Sequence, residues 1–428
     1  VGASGTNGLV YQQIAMDLPL LSTEQQARLP LLCALATEVG VGDANYLEVQ
    51  DRQSSAVGSL SLSVSTRASR ESVDSSSGYL VTSSKALANR IPDQVALMMD
   101  TLTQAKFNET DRIKELVSQM RARRDQSISG AGHSLAMTAA SAGMSALASL
   151  YHSQSGLAGI ANLRALDNSL ADGSALDSLS AELSSLRDSL LASPSVNLLT
   201  VSDSQSLDAA AAALVNATGA LVSGSDTSVW TPGAKQDQTN QIWVANTQVN
   251  FCAKAFPTVS SGHPDAPALT VLGAYLRNGF LHRAIREQGG AYGGGASHDA
   301  NVGAFRFFSY RDPRNIDTLA DFDASVEWLL ESKADEHALE EAILSVISSL
   351  DKPASPAGEV KKAFYDALYQ RTLEQKRQLR EAIISTNHDD LCRVASTYLK
   401  PELACSVVLT DAKTAESEAL SNLGWQYN

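Results

Sequence analysis

The chain has no apolar run long enough to cross a membrane, and its N-terminus has no basic and apolar leader. A membrane-spanning helix needs about 20 mostly apolar residues, and a secretory leader needs a charged stretch followed by an apolar one. The 428 residues also lack an initiating Met, because they begin with Val1. We therefore expect no interaction with a membrane, and we expect the chain to begin inside a longer protein.

Cysteine is scarce, and no two cysteines are close together. Cys33, Cys252, Cys392 and Cys405 are widely separated, and none belongs to a C-x-x-C pair. Structural zinc sites and disulfide frameworks both need more closely organised cysteines. The spacing predicts reduced core residues, which favours a reducing compartment such as the cytoplasm or an organelle matrix.

Positive charge is also in short supply. The 33 Lys and Arg residues face 47 Asp and Glu residues, which gives a formal net charge of −14. Proteins that bind nucleic acid rely on basic surfaces, so this balance argues against a nucleic-acid partner. An acidic, solvated surface explains the charge without any specific ligand.

What the chain does contain is one pattern of elements that occurs twice. An extended stretch at residues 8–18 precedes a helix that begins after Ser22, and an extended stretch at 243–253 precedes a helix that begins near Asp265. Alternating strands follow at 57–65 and 302–310, and both open with Val-Gly. Amphipathic helices come next, and each half has a short apolar strand near its end. We predict an α+β fold of two homologous domains, each a mainly antiparallel sheet covered by helices.

The predicted boundary between the two domains is a polar segment. Residues 223–240 are rich in Ser, Thr, Gly, Asp and Gln, and Pro232-Gly233 marks a turn. We therefore assign residues 1–222 to one domain, 223–240 to a linker and 241–428 to the other domain.

None of the seven histidines has the spacing of a zinc peptidase. The inverted motif H-x-x-E-H places two His on one face of a helix with a Glu beside them. The best match begins at His337, but Glu341 stands in place of the second His. We interpret His337 as part of a solvated helix face. The chain alone is predicted to contain no metal site and no catalytic residue.

The most distinctive segment is the glycine-rich run that follows a predicted helix in the second half. Arg286 falls in the last turn of that helix, Gly289-Gly290 ends it, and Tyr292 comes just after, followed by three more glycines. Neither G-x-G-x-x-G nor the P-loop pattern fits, and both phosphate motifs precede a helix whereas this run follows one. Nucleotide binding is therefore rejected.

This run, joined to Phe307-Phe308-Ser309-Tyr310-Arg311-Asp312-Pro313, resembles the last domain of presequence-protease-type members of the pitrilysin/insulinase family of zinc metallopeptidases. The opening segment at residues 6–40 is similar to the third domain of that group. The resemblance spans essentially the whole chain, and residues 127–193 are its least diagnostic part.

The resemblance implies a C-terminal half that encloses unfolded peptides but does not bind zinc itself. In this family four similar domains form two bowl-shaped halves, and the N-terminal half holds the zinc. Matching the motif residue by residue makes Arg286 and Tyr292 the substrate-binding pair. His298 lies near the same loop and could face the enclosed chamber, but an exposed loop histidine is the expectation. The partner would be the N-terminal zinc-binding half, in the same polypeptide or in a separate subunit.

A second interpretation comes from a different class of protein. Relatives of this fold also serve as non-catalytic scaffolds in complexes that resemble processing peptidases. Retention of Arg286 and Tyr292 favours the peptidase, because a scaffold needs neither residue.

Overall fold

The structure, a computed structural model, describes residues 1–192, 195–221 and 229–428. It contains two mainly antiparallel sheets with helices against them, which confirms the predicted α+β class. The strands of the first sheet are β1 (Gly2–Ala3), β2 (Leu9–Asp17), β3 (Ser59–Ala68), β4 (Ser76–Leu87) and β5 (Val196–Ser202). The strands of the second sheet are β6 (Gln241–Val244), β7 (Phe251–Pro257), β8 (Gly293–Asp299), β9 (Ala304–Tyr310), β10 (Cys405–Thr410) and β11 (Gln426–Tyr427).

The helices surround both sheets, and none in the described ranges is long and apolar enough to cross a bilayer. Those of the first half are α1 (Thr23–Ala36), α2 (Tyr46–Ala56), α3 (Ile91–Gln104), α4 (Thr110–Ser141), α5 (Ala146–Ser155), α6 (Leu157–Ser169), α7 (Gly173–Leu191) and α8 (Ser204–Thr218). Those of the second half are α9 (Ala266–Leu276), α10 (Ile316–Glu331), α11 (Glu336–Leu350), α12 (Pro356–Leu368), α13 (Leu373–Ile384), α14 (His388–Tyr398), α15 (Ala412–Ala415) and α16 (Glu418–Ser421).

The two sheets share one topology, and it corrects the predicted correspondence between strands. The strand orders are β1-β5-β2-β4-β3 and β11-β6-β10-β7-β9-β8. The second sheet has β11 as an additional edge strand. The other five strands correspond in order, so β3 matches β8 and β4 matches β9. The pairing of 57–65 with 302–310 on their shared Val-Gly is therefore wrong, because β3 is an edge strand and β9 lies one place inside the edge.

The predicted extended stretch at 243–253 is two strands. β6 pairs in parallel with β10, whereas β7 pairs antiparallel with the other side of β10. The chain has to reverse direction between these two ladders, so no single strand can make both. The alternation of apolar residues did not reveal that reversal.

Helix starts follow the local signals. The side chain of Ser22 accepts a hydrogen bond from the Gln25 backbone N–H, and the Ser22 backbone N–H donates one to the Gln25 side-chain oxygen. This capping box satisfies two N–H groups that the first turn leaves without partners. The predicted N-cap of α1 is confirmed.

One helix of each half packs against the sheet of the other half. Ile128 and Leu135 of α4 pack into a buried cluster with Phe251, Ala253 and Val407 of the second sheet. In return, Ala357, Val360 and Phe364 of α12 pack against Leu199 and Val201 of β5. The strands divide cleanly between residues 1–222 and 241–428, but the packed cores do not.

The predicted linker is described only from residue 229, and 222–228 lie outside the described residues. Residues 229–240 contain no helix or strand. Trp230 is only 3% exposed and belongs to the core of the first half. The Thr231 carbonyl accepts a hydrogen bond from Gln26 Nε2 at 2.9 Å. The start of this segment is therefore attached to the first half, whereas Asn240 at its end accepts hydrogen bonds from the backbone N–H groups of Ser406 and Gln426 in the second half. The division into domains stays a prediction.

Candidate functional site

Arg286 lies at the end of the long helix that α9 begins. After Leu276 the helix widens into a π-helical segment, Arg277–Gln288. The Arg286 carbonyl accepts a hydrogen bond from the Gly290 N–H at 3.1 Å, and Gly290 has a φ of +80°. Glycine adopts that conformation at low cost, which is why it ends helices. The predicted helix end is confirmed, and π-helical turns occur frequently at functional sites.

Tyr292 lies immediately before an edge strand. The glycine run that follows it forms β8, which pairs with β9, so it is not an open loop. The Tyr292 N–H donates to the Tyr310 carbonyl at 3.0 Å. The Tyr292 ring meets the Tyr310 ring at 5.6 Å between centroids. Backbone and ring are therefore both held against β9.

The side chains of Arg286 and Tyr292 lie side by side at the surface. The Arg286 Cζ atom is 6.0 Å from the centre of the Tyr292 ring. Arg286 is exposed, and Tyr292 is 68% exposed. Within the described ranges, neither the guanidinium nor the phenol hydroxyl is hydrogen bonded to another residue. Both head groups therefore keep their donors for a ligand, although Arg286 also opposes the negative end of its helix, which is worth about 0.3–1 kcal/mol.

Sequence reasoning missed two side chains that support Tyr292. The ring of Tyr310 packs against Tyr292, and the ring of His133 packs against Tyr310. The ring of His133, on α4, lies 4.8 Å from that of Tyr310 and 5.5 Å from that of Phe308. Burial lowers the pKa of His133, so the imidazole packs as a neutral ring near pH 7. No local pattern could identify His133, because α4 belongs to the first half. Tyr310 lies inside the segment that carries the resemblance.

Arg311 and Asp312, in the segment that carries the resemblance, form the turn after β9, and both have a structural role there. Arg311 has a φ of +49°, which is uncommon for a residue other than glycine. The buried Asp312 carboxylate accepts hydrogen bonds from the Arg314 N–H at 2.9 Å and the Thr318 hydroxyl at 2.7 Å. Arg314 donates to the Ala284 carbonyl at 3.3 Å. The turn thus connects β9 to the helix that carries Arg286.

His298 does not join this site. It lies on β8, six residues beyond Tyr292, and its Nε2 atom is 3.1 Å from the Thr258 hydroxyl. Burial lowers its pKa to about 4. The expectation of an exposed loop histidine is therefore wrong, because the glycine run pairs as a strand and carries His298 inward.

The described residues do not fit a zinc site. No group of three or more His, Cys, Asp or Glu within 1–192, 195–221 and 229–428 is arranged to hold a metal. His337 Nδ1 lies 3.5 Å from Glu341 Oε1 on α11, and 80% of the His337 side chain is exposed. This agrees with the predicted solvated face.

Two family models match different parts of the chain. The one described as "Peptidase M16C associated" matches residues 2–166, and the one described as "PreP C-terminal domain" matches residues 240–410. The mitochondrial presequence protease of Danio rerio is 28% identical over 418 residues, which cover 92% of this chain and 40% of that protein. The one of Kluyveromyces lactis is 41% identical over 163 residues, which cover 38% of this chain and 16% of that protein.

The fold has a solved counterpart. A peptidase M16 inactive domain from Pseudomonas fluorescens aligns with a TM-score of 0.64 at 15% identity, over 95% of this chain and 93% of that one. The chain spans about 40% of the length of the first curated relatives it matches. Together the two family models cover most of the chain, and one of them is a C-terminal domain. The chain therefore belongs to the presequence-protease type of the M16, or pitrilysin/insulinase, family of zinc metallopeptidases and corresponds to the C-terminal half of such an enzyme.

Proposed function

We propose that this chain is the substrate-enclosing half of a zinc metalloendopeptidase that degrades unfolded peptides, with Arg286 and Tyr292 binding the substrate. The observation that carries the proposal is the pairing of these two exposed head groups on a rigid base. Their donors are unpaired within the described residues, and β9 and the helix end hold their backbones.

The two side chains suit a peptide backbone. An Arg guanidinium presents a fixed fork of donors to carbonyl oxygens. A Tyr hydroxyl donates to a carbonyl, or to the negative charge that develops on it when the peptide bond is attacked. Arg286 would orient the peptide, and Tyr292 would stabilise the oxyanion.

Zinc, the metal of the family, would supply an activated water for hydrolysis. The described residues offer it no ligand set, so the metal would be held by an N-terminal half. That half would lie earlier in the same polypeptide or in a separate subunit. A site divided between two halves is complete only when they close around the peptide. Since curated relatives are named as mitochondrial proteins, an organelle matrix, or a comparable reducing compartment, is the proposed location.

The test is peptide cleavage by this chain combined with its N-terminal half. Tyr292→Phe removes only the hydroxyl and is expected to lower kcat/KM roughly 100- to 1,000-fold. Arg286→Gln is expected to lower it as well, mainly through KM, whereas Arg283→Gln, an exposed arginine on the same helix, is the matched control and should change little.

Two outcomes would contradict the proposal. One is robust zinc-dependent cleavage by the isolated chain. The other is a Tyr292→Phe, Arg286→Gln double variant that cleaves as fast as the unmodified enzyme.

A further inference from the structure

Three arginines converge where the first sheet meets the segment after α12. Arg67 lies on β3, Arg70 follows that strand, and Arg371 follows α12. The Arg67 Cζ atom is 5.6 Å from the centre of the Tyr369 ring, and the Arg70 carbonyl accepts a hydrogen bond from the Gly262 N–H at 2.8 Å. Burial lowers the pKa of Arg371, and the charges of Arg67 and Arg70 lower it further. Arg67 is thus placed beside Tyr369, which lies two residues before Arg371, and Arg70 follows three residues after Arg67.

Within the described residues, this cluster forms no ion pair. In the part of the chain that the structure describes, none of the three guanidinium groups forms a side-chain hydrogen bond or an ion pair. The Asp366 carboxylate opposes the charge of Arg371, but it is already paired with Lys376. Partly buried positive charges without a partner cost free energy. An anion that bound there would recover that cost.

The wall behind the cluster is fixed by phenol hydroxyls that are already occupied. The Tyr369 hydroxyl lies 2.6 Å from the Ser65 hydroxyl, and the Tyr79 hydroxyl donates to the Leu368 carbonyl at 3.0 Å. Tyr79 and Tyr369 also pack edge to face, with ring centroids 5.5 Å apart. The guanidinium groups are thus the donors left open toward a ligand.

The cluster lies at the opposite end of the β8–β9 hairpin from Tyr292. In the turn of that hairpin, Asn301 donates to the Tyr151 hydroxyl at 3.0 Å and accepts from the Ala68 N–H at 2.9 Å. Ala68 directly follows Arg67. Because β8 has seven residues and a strand rises about 3.3 Å per residue, the two ends are about 20 Å apart. An extended peptide of roughly six or seven residues spans that distance.

We propose that Arg67, Arg70 and Arg371 bind a carboxylate of the peptide held at Arg286 and Tyr292. This inference rests on the proposed function and adds a second anchor to it. The carboxylate is the peptide's C-terminus or an acidic side chain, and both present the same two oxygens to an arginine fork.

Binding of three fluorescent peptides to the chain tests the proposal. They share one sequence of about ten residues without acidic side chains, long enough to span both anchors. One ends in a free carboxylate, one in an amide, and one in Glu followed by an amide. The unmodified chain should bind the free acid about tenfold more tightly than the plain amide, and added salt should reduce that preference. Tight binding of the Glu amide would assign the site to an acidic side chain as well.

The variants separate this inference from the proposed function. Arg67→Gln with Arg371→Gln should abolish the preference for the acid and leave amide binding intact, whereas Arg123→Gln, an exposed arginine on α4, should preserve it. Arg286→Gln should weaken all three peptides equally, and its failure to do so would contradict the proposed function alone. An acid that binds no better than its amide, or a preference that survives in the double variant, overturns the proposed carboxylate site.

Discussion

The ring of Tyr292 stands edge-on against the ring of Tyr310, with an angle of 79° between the two planes. The partner ring is itself packed against His133 from the other half of the chain. The orientation of the exposed phenol thus depends on the Tyr310 ring. In the proposed site, Tyr310 would act as a positioning residue.

We predict that Tyr310→Leu weakens peptide binding about 2- to 10-fold, which is the usual worth of an aromatic pair. Tyr310→Phe retains the ring and should restore unmodified affinity, as measured by fluorescence anisotropy. In a Tyr292→Ala background, Tyr310→Leu should cause no further loss, because the group it positions is gone. An equal loss in both backgrounds would show that Tyr310 acts independently of Tyr292.

Gly290 and Gly293 form a matched pair for testing the helix end. Gly290 has a φ of +80°, whereas a Cβ added at Gly293 meets no atom within 4 Å. Gly290→Ala should lower the free energy of unfolding by about 1–2 kcal/mol and weaken Arg286-dependent binding, whereas Gly293→Ala should be nearly neutral. Urea unfolding and peptide titration measure both effects. A Gly290→Ala variant with unchanged stability would argue against the described turn.

Gly132 and Gly130, both on α4, test the exchange of helices between the two halves. A Cβ at Gly132 would lie 2.5–2.6 Å from three ring carbons of the buried Phe251, whereas one at Gly130 meets nothing within 4 Å. Gly132→Ala should destabilise the chain by about 1–3 kcal/mol through overpacking. Gly130→Ala should stabilise it by up to about 1 kcal/mol, since alanine favours a helix. Stabilisation by both changes would mean that α4 does not pack against β7.

Stability should fall in mild acid because of His152. This side chain is 3% exposed, packs at 5.6 Å from Trp243, and burial lowers its pKa to about 4. The unfolded chain, with an ordinary histidine pKa, binds a proton more readily than the folded one, so stability present at neutral pH is lost as the pH falls below about 6.5.

Between about pH 7.5 and pH 5, protonation of this single group should lower the free energy of unfolding by about 2 kcal/mol. Urea unfolding at both pH values, with His152→Phe and the exposed His337→Gln as a control, measures it. His152→Phe should reduce the pH dependence, and His337→Gln should not. Equal pH dependence in all three proteins would contradict the assignment to His152.

Sequence reasoning succeeded where the signal is local. The cap at Ser22 and the helix end at Gly290 depend on residues within one turn, and both were predicted correctly. Exposure of Arg286 and Tyr292 is compatible with the roles that the resemblance implied, although those roles stay predictions.

Sequence reasoning failed where pairing partners are distant. Three glycines in β8 provide no alternation of side chains, and only the ladder with β9 makes that run a strand. The long helix α4 continues through Gly130 and Gly132 to Ser141. Gly130 and Gly132 weaken the intrinsic preference for a helix there, but contact with Phe251, more than a hundred residues away, compensates.

The passage of α4 onto the second sheet, and of α12 onto the first, makes the two halves mutually dependent. A chain severed between its sheets would give two fragments, each with a bare apolar surface that the missing fragment normally shields. Such fragments would associate with one another or aggregate, and neither would persist as a free-standing unit. Any attempt to transplant the Arg286 and Tyr292 region into another scaffold must therefore bring α4 with it.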